Sequence, residues 1–253
     1  MKILISPAKS INEKAIKSSD STIPMFQNEA QKIVKNLRKL KVDDLMQLMS
    51  ISEDLAQLNW NRYKNWKKSD SESEELISAG FAFSGEVYRG LDLASLNSEE
   101  LEIASKNLRI LSGMYGILKP NDLIYPYRLE MGTRLSPIED QKNLYEFWKD
   151  KIAKTLKKEL EKEELIINLS SNEYFKAIDI QQIKNRIITP IFKEFKNGNF
   201  SIVMMYAKHA RGAMARYLIQ NVITDIEELK LYNIDGYSFD TNQSNENEWV
   251  FVR

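Results

Sequence analysis

The sequence contains no cysteine among its 253 residues. Disulfides, thiolate metal sites, cysteine-ligated iron–sulfur clusters and thiol redox sensing are thereby excluded. Histidine is nearly absent as well: His209 stands alone, without the clustered partners that iron or zinc centres use. Neither sign of charge prevails, since Lys+Arg and Asp+Glu are 36 each, so the global balance gives no support to a nucleic-acid partner. Any basic surface must come from segregation of charge along the chain. No apolar run approaches the ~20 residues that span a bilayer. The apolar run near the start, inside Met1-Lys2-Ile3-Leu4-Ile5-Ser6-Pro7, is too short for the core of a signal peptide. The expectation is a cytoplasmic monomer with no membrane partner, no cofactor and no metal site, holding no iron tightly.

What is present is an ordinary globular composition, 43% hydrophobic and 28% charged, enough for a proper core in one large domain. There is no sharp linker and no internal repeat, so residues 1–253 are read as one domain. Residues 2–6 read as a buried strand. Helical spacing of Ile33, Val34, Leu37 and Leu40 predicts a helix over 29–40, followed by a short one over 45–49 and a third starting after Ser52. Residues 81–83 read as a short strand, and Ser98 followed by Glu99 and Glu100 as the start of a helix leading to Leu108. A long amphipathic helix is predicted over 143–160 and a buried strand over 165–169. Asn197-Gly198 between apolar runs at 186–195 and 200–206 is a strong hairpin signal. A helix over 207–221 and a final strand pair, 237–240 with 249–252, complete the reading. Mixed strands and helices with a hairpin among them argue α+β, a mixed sheet with surrounding helices.

The segment LRILSGMYGILKPNDLIYPYRLEMGTR, residues 108–134, concentrates glycines, prolines, tyrosines and arginines. Pro120 and Pro126 stop any helix from running through, and Gly113 and Gly116 suit a tight turn. Five further blocks accompany it: ILISPAKS at 3–10, FSGEVYRGL at 83–91, INLSSNEYFK at 167–176, YAKHARGAMARY at 206–217 and GYSFD at 236–240. Six blocks in this order resemble the peroxide stress resistance protein YaaA family along the whole chain. The resemblance implies a single-domain bacterial cytoplasmic protein of unusual fold. It further implies DNA binding through a basic cleft with a helix-hairpin-helix-like element, and protection under hydrogen peroxide stress linked to low intracellular iron.

Read as residues, several of these blocks carry charges suited to phosphates. Lys9 lies on a loop just past a strand, where open sheets often place ligand contacts. Ser112-Gly113-Met114-Tyr115-Gly116 is similar to the hairpin of helix-hairpin-helix proteins, whose backbone N–H groups meet a DNA phosphate. Here, however, the glycines are three apart, where the usual hairpin spaces them by two. Arg109, Lys119 and Arg128 flank that turn. Lys208 and Arg211 share a helix face, whereas Arg216 lies about 140° round from Arg211. Arg62, Lys64, Lys67 and Lys68 interleave with Trp60, Tyr63 and Trp66, a run whose plain reading is a solvated face, and the acids Asp70, Glu72, Glu74 and Glu75 follow it. One function reading is thus DNA binding, duplex or branched and weakly sequence-specific, through Lys9, Arg109, Gly113, Gly116, Lys119, Arg128, Lys208 and Arg211. The other is an enzyme whose Glu86, Arg89, Glu130, Glu173 and Lys176 converge on a nucleobase, nucleotide or phosphorylated metabolite. Glu86 and Arg89 can equally form one structural salt bridge.

Overall fold

The computed structural model describes residues 1–253 except 70–72, 74, 139–140, 222 and 224. Of the expected acidic loop, Asp70, Glu72 and Glu74 therefore lie outside the described residues. The main sheet has eight strands: β1 (Lys2–Ile5), β2 (Leu108–Ser112), β3 (Gly116–Leu118), β4 (Ile166–Asn168), β5 (Ile187–Lys196), β6 (Asn199–Ser201), β7 (Ser238–Phe239) and β8 (Glu248–Val252). Their order is β7-β8-β5-β4-β1-β2-β3, with β6 paired to β5. Five central strands run parallel, and β3, β6 and β7 pair antiparallel to their neighbours. Ile3, Leu4 and Ile5 are buried without alternation, as expected of a central parallel strand covered on both faces. The fold is one α+β domain with a mixed sheet and surrounding helices.

Local chemistry accounts for most element boundaries. Asn197 and Gly198 both have positive φ, 54° and 79°, which is the two-residue turn that suits the twist of a hairpin. The arm after it ends at Ser201, and a helix, Met204–Asn221, begins where the sequence predicts more strand. All three residues of β6 are exposed, so nothing buries a longer arm. Residues 79–82 form a helical turn, Ala79–Ala82, with the strand starting only at Phe83. Close packing decides this: a Cβ on Gly80 would lie 2.9 Å from Cβ of Pro120.

The helix Leu144–Glu159 buries Leu144, Phe147, Trp148, Ile152 and Leu156, as its periodicity predicts. The Asn143 side chain accepts a hydrogen bond from the Glu146 N–H at 3.0 Å, satisfying one of the amides that a helix start leaves free. Asn143→Ala is expected to cost about 1 kcal/mol, read as a fall in melting temperature of about 2–4 °C for a chain of this size. An unchanged melting temperature would show that water replaces the cap without loss.

Two helix pairings shape the rest of the surface. Val42–Met49 and Glu53–Asn65 pack together across a three-residue link in which Ser50 is left-handed at φ 51°. Glu86–Leu91 lies against Met204–Asn221 at backbone distance: a Cβ on Gly212 would be 1.8 Å from the Val87 carbonyl oxygen, and one on Gly90 2.2 Å from that of His209. Only glycine permits so close an approach. Among the described residues, no helix is long and apolar enough to cross a membrane.

Candidate functional site

The strand order contains a reversal. The chain leaves β1 toward β2 on one side and leaves β4 toward β5 on the other, so the neighbours β1 and β4 form a topological switch point. Open sheets of parallel strands present a crevice outside the carboxyl ends of the strands at such a point. Here those ends are tied together by serines. Ser6 Oγ accepts a hydrogen bond from the Ser171 N–H at 2.9 Å and lies 3.3 Å from its Oγ. The Tyr88 hydroxyl donates to the Ser6 carbonyl at 3.1 Å.

Charged groups gather on the loops around this end. Glu130 takes the Lys9 ammonium on one oxygen and the Arg128 guanidinium on the other, each at 3.0 Å. The Arg128 Nε is buried and has no hydrogen-bond partner among the described residues. Glu173 accepts the Gly132 N–H at 2.9 Å. Burial, the neighbouring Tyr127, and then the charges of Glu173 and Glu130 push the Tyr174 hydroxyl well above its ordinary pKa, so both carboxylates act on one buried ring. Burial and then Glu173 raise Tyr145 likewise. Burial and then Tyr127 and Tyr174 push the Tyr88 hydroxyl well above its ordinary pKa, and the Phe83 ring touches both Tyr88 and Tyr127, at 5.5 and 6.1 Å between ring centres.

The other predicted residues divide sharply. Glu86 opens the helix Glu86–Leu91 at this same end, because a Cβ on the preceding Gly85 would lie 3.3 Å from that of Ala8. Its carboxylate pairs with Arg89 at 2.7 Å, the local salt bridge that their spacing also allowed. Lys176 and Lys208 are exposed. Arg211 is half-buried, burial pushes its guanidinium pKa down, and it has neither ion pair nor side-chain hydrogen bond among the described residues.

Three expectations are corrected. Arg109 is a core arginine, 4% exposed, bound to Glu159 at 2.8 Å and to the carbonyls of Ser105 and Leu108. The turn at Gly113 and Gly116 joins the antiparallel strands β2 and β3, not two helices. It is wholly buried, and its Tyr115 and Ile117 amides are used inside, on Ser112 Oγ and the Tyr115 carbonyl, each at 2.9 Å. Finally, Lys119 follows β3 back to the level of Arg109, away from Lys9 beyond the carboxyl end of β1, so these two lysines do not share one cleft.

A second basic feature was read in sequence as plain surface. Arg38, Lys64, Lys67 and Lys68 line a surface groove of about 580 Å³ with Trp66, Asn65, Gln31 and Glu75. Arg38 donates to the carbonyls of Tyr63, Lys64 and Trp66 and so closes the end of Glu53–Asn65. None of the four cations is ion-paired among the described residues, whereas Arg62 is held by Glu13. Arg38 lies outside every motif, so no sequence signal marked it. His209 lies 3.6 Å from Asp235, and no group of three His, Asp or Glu among the described residues could hold a metal ion.

A parallel-centred sheet with charged side chains at its switch point, together with a cationic groove at a helix end, defines an α+β protein. Comparison with known proteins gives the family: the chain belongs to the peroxide stress protein YaaA family, whose model matches residues 1–243. Relatives span its whole length. UPF0246 proteins of Flavobacterium johnsoniae and Flavobacterium psychrophilum are 48% and 49% identical to it over 254 residues, covering 100% of each chain. One from Clostridium beijerinckii is 46% identical over 258 residues, covering 100% of this chain and 98% of its own.

Proposed function

We propose that this peroxide stress family protein binds DNA through its phosphate backbone, with little sequence specificity, and thereby limits iron-dependent damage. The observation that carries the reading is the groove at the end of Glu53–Asn65, where four cations converge without ion pairs among the described residues. Unpaired lysines and arginines on one surface attract a polyanion, and phosphate contacts position a protein on DNA without reading sequence. Trp60 beneath the Lys64 ammonium, 4.9 Å from ring centre to nitrogen, keeps that charge at the surface.

The test is a titration of duplex and branched DNA at several salt concentrations. Each neutralised phosphate contributes about 0.9 to the slope of log affinity against log salt. Lys67→Ala with Lys68→Ala is expected to lower that slope by about 2 and to weaken all sequences alike. Salt-independent binding, or a slope unchanged in the double variant, overturns the assignment. A strong preference for one sequence would argue equally against it.

A further inference from the structure

Residues 197–206, NGNFSIVMMY, carry no charge in a chain that is 28% charged. They form the turn and second arm of the hairpin and the first turn of Met204–Asn221. On this segment and the facing arm, Phe195, Phe200, Ile202, Met204, Met205 and Tyr206 stand between 41% and 59% exposed. Chain continuity and contact join them. The Phe195 and Phe200 rings lie 5.1 Å apart across the hairpin, and the Phe195 N–H donates to the Arg253 carbonyl at 2.7 Å. The Arg253 guanidinium in turn lies 5.1 Å from the Tyr206 ring centre. At about 150–250 Å² for a large side chain, six of them half exposed present roughly 600 Å². That is the upper end of what a monomer shows in one apolar patch.

The edge of β6 beside these side chains is open. With the two-residue turn Asn197-Gly198, Lys196 and Asn199 are the hydrogen-bonded pair that closes the hairpin. By alternation Phe200, opposite Phe195, turns its N–H and C=O away from β5. Neither group makes a backbone hydrogen bond to a described residue outside the hairpin. Proteins ordinarily guard such an edge with lysine, proline or a covering element. Residues 199–203 contain neither lysine nor proline, and all of β6 is exposed. A second copy of the chain suits this face on three grounds. An antiparallel edge is complementary to itself, so two copies of Phe200 can exchange both main-chain hydrogen bonds about a two-fold axis. Pairing sets no like charges opposite each other, and the zero net charge of the chain lets copies approach without mutual repulsion. Roughly 600 Å² from each copy also reaches the lower bound of a specific interface, about 1,200 Å² in total.

We propose that the chain forms a two-fold dimer in which β6 pairs antiparallel with β6 of a second copy, Phe200 lying at the axis. The apolar side chains from Phe195 to Tyr206 are covered in the same contact. No residue of the helix-end groove belongs to this face, so the dimer does not depend on DNA binding there.

Analytical ultracentrifugation of the full chain, from about 1 to 200 μM, tests this. A reversible monomer–dimer equilibrium is expected, with a dissociation constant on the order of 10 μM because the area is small for a specific interface. Phe200→Glu sets two carboxylates opposite each other at the axis and should weaken the dimer at least about 10-fold. Ile202→Lys leaves the Phe195–Phe200 contact in place and should weaken it too, so a folding defect in the first variant does not decide the matter. Ile16→Lys removes an equally exposed apolar side chain elsewhere and should leave association unchanged, as should Lys67→Ala with Lys68→Ala. Hydrogen exchange at the Phe200 amide should slow as protein concentration rises. A chain that stays monomeric at about 200 μM, the state expected from its sequence, leaves the face to a different protein and overturns the proposal. Growth beyond a dimer, association unchanged in both Phe200→Glu and Ile202→Lys, equal weakening by Ile16→Lys, or Phe200 exchange indifferent to concentration each overturns it as well.

Discussion

Gly212→Ala is expected to destabilise the protein by about 3 kcal/mol, lowering its melting temperature by about 6–12 °C. Alanine is ordinarily the better helix residue by about 1 kcal/mol, so the sign of this effect rests on packing alone. The added Cβ would stand 1.8 Å from the Val87 carbonyl oxygen and 2.8 Å from the Leu91 nitrogen. Both are backbone atoms, and no side-chain rotation can relieve the contact. Met204–Asn221 would have to lift off Glu86–Leu91, loosening the buried residues Ala210, Met214 and Leu218 behind it. Gly198→Ala is the control, since its φ is 79° but nothing lies within 4 Å of the new methyl; it should cost only about 1–2 kcal/mol of backbone strain. The comparison is made by urea unfolding at constant m-value. Equal midpoints for Gly212→Ala and the parent would mean the two helices do not meet at backbone distance.

Gly116→Val should have an effect of similar size, from two causes together. Gly116 sits at φ 71°, which costs a non-glycine residue about 1–2 kcal/mol and a β-branched one more. Its Cβ would also press on the Trp148 ring at 2.6 Å. That ring cannot yield easily, because Trp148 is fully buried and its indole N–H donates to the Gly113 carbonyl at 2.9 Å. Overpacking adds about 1–3 kcal/mol, giving a total near 4 kcal/mol. Arg62→Ala loses an ion pair to Glu13 and a hydrogen bond to Asn59, worth about 1 kcal/mol. DNA affinity in Gly116→Val should fall only in proportion to the unfolded fraction measured by circular dichroism. Weakened binding by fully folded Gly116→Val would instead return the Gly113–Gly116 turn to the DNA surface.

Much of the fold was legible in the sequence because its causes are local. The Asn197-Gly198 turn and the 143–160 helix with its Asn143 cap follow from φ preference, periodicity and capping, which need no distant partner. Of the strand expected at 81–83 only Phe83 is extended, because residues 81 and 82 complete the helical turn Ala79–Ala82, whose Gly80 packs on Pro120, forty residues on. Charge was read less well than shape. Arg109 and Arg128 are alike in sequence, both in one motif among tyrosines. Only the fold puts Arg109 against Glu159 in the core and Arg128 against Glu130 at the crevice.

The sequence by itself determined the α+β class, the family, and the absence of thiol chemistry, since composition, short-range periodicity and ordered motifs carry these without any long-range contact. The tertiary structure alone decided which charges are free. Whether an arginine or lysine is buried in a salt bridge, paired at a rim or left without an acid depends on partners that can lie more than a hundred residues away. Ser6 and Ser171 meet because β1 and β4 are neighbours. Among the described residues the folded chain brings no ion pair to Arg211. An electrostatic site is a property of distance and solvation, and both are set only when the strands and helices have packed.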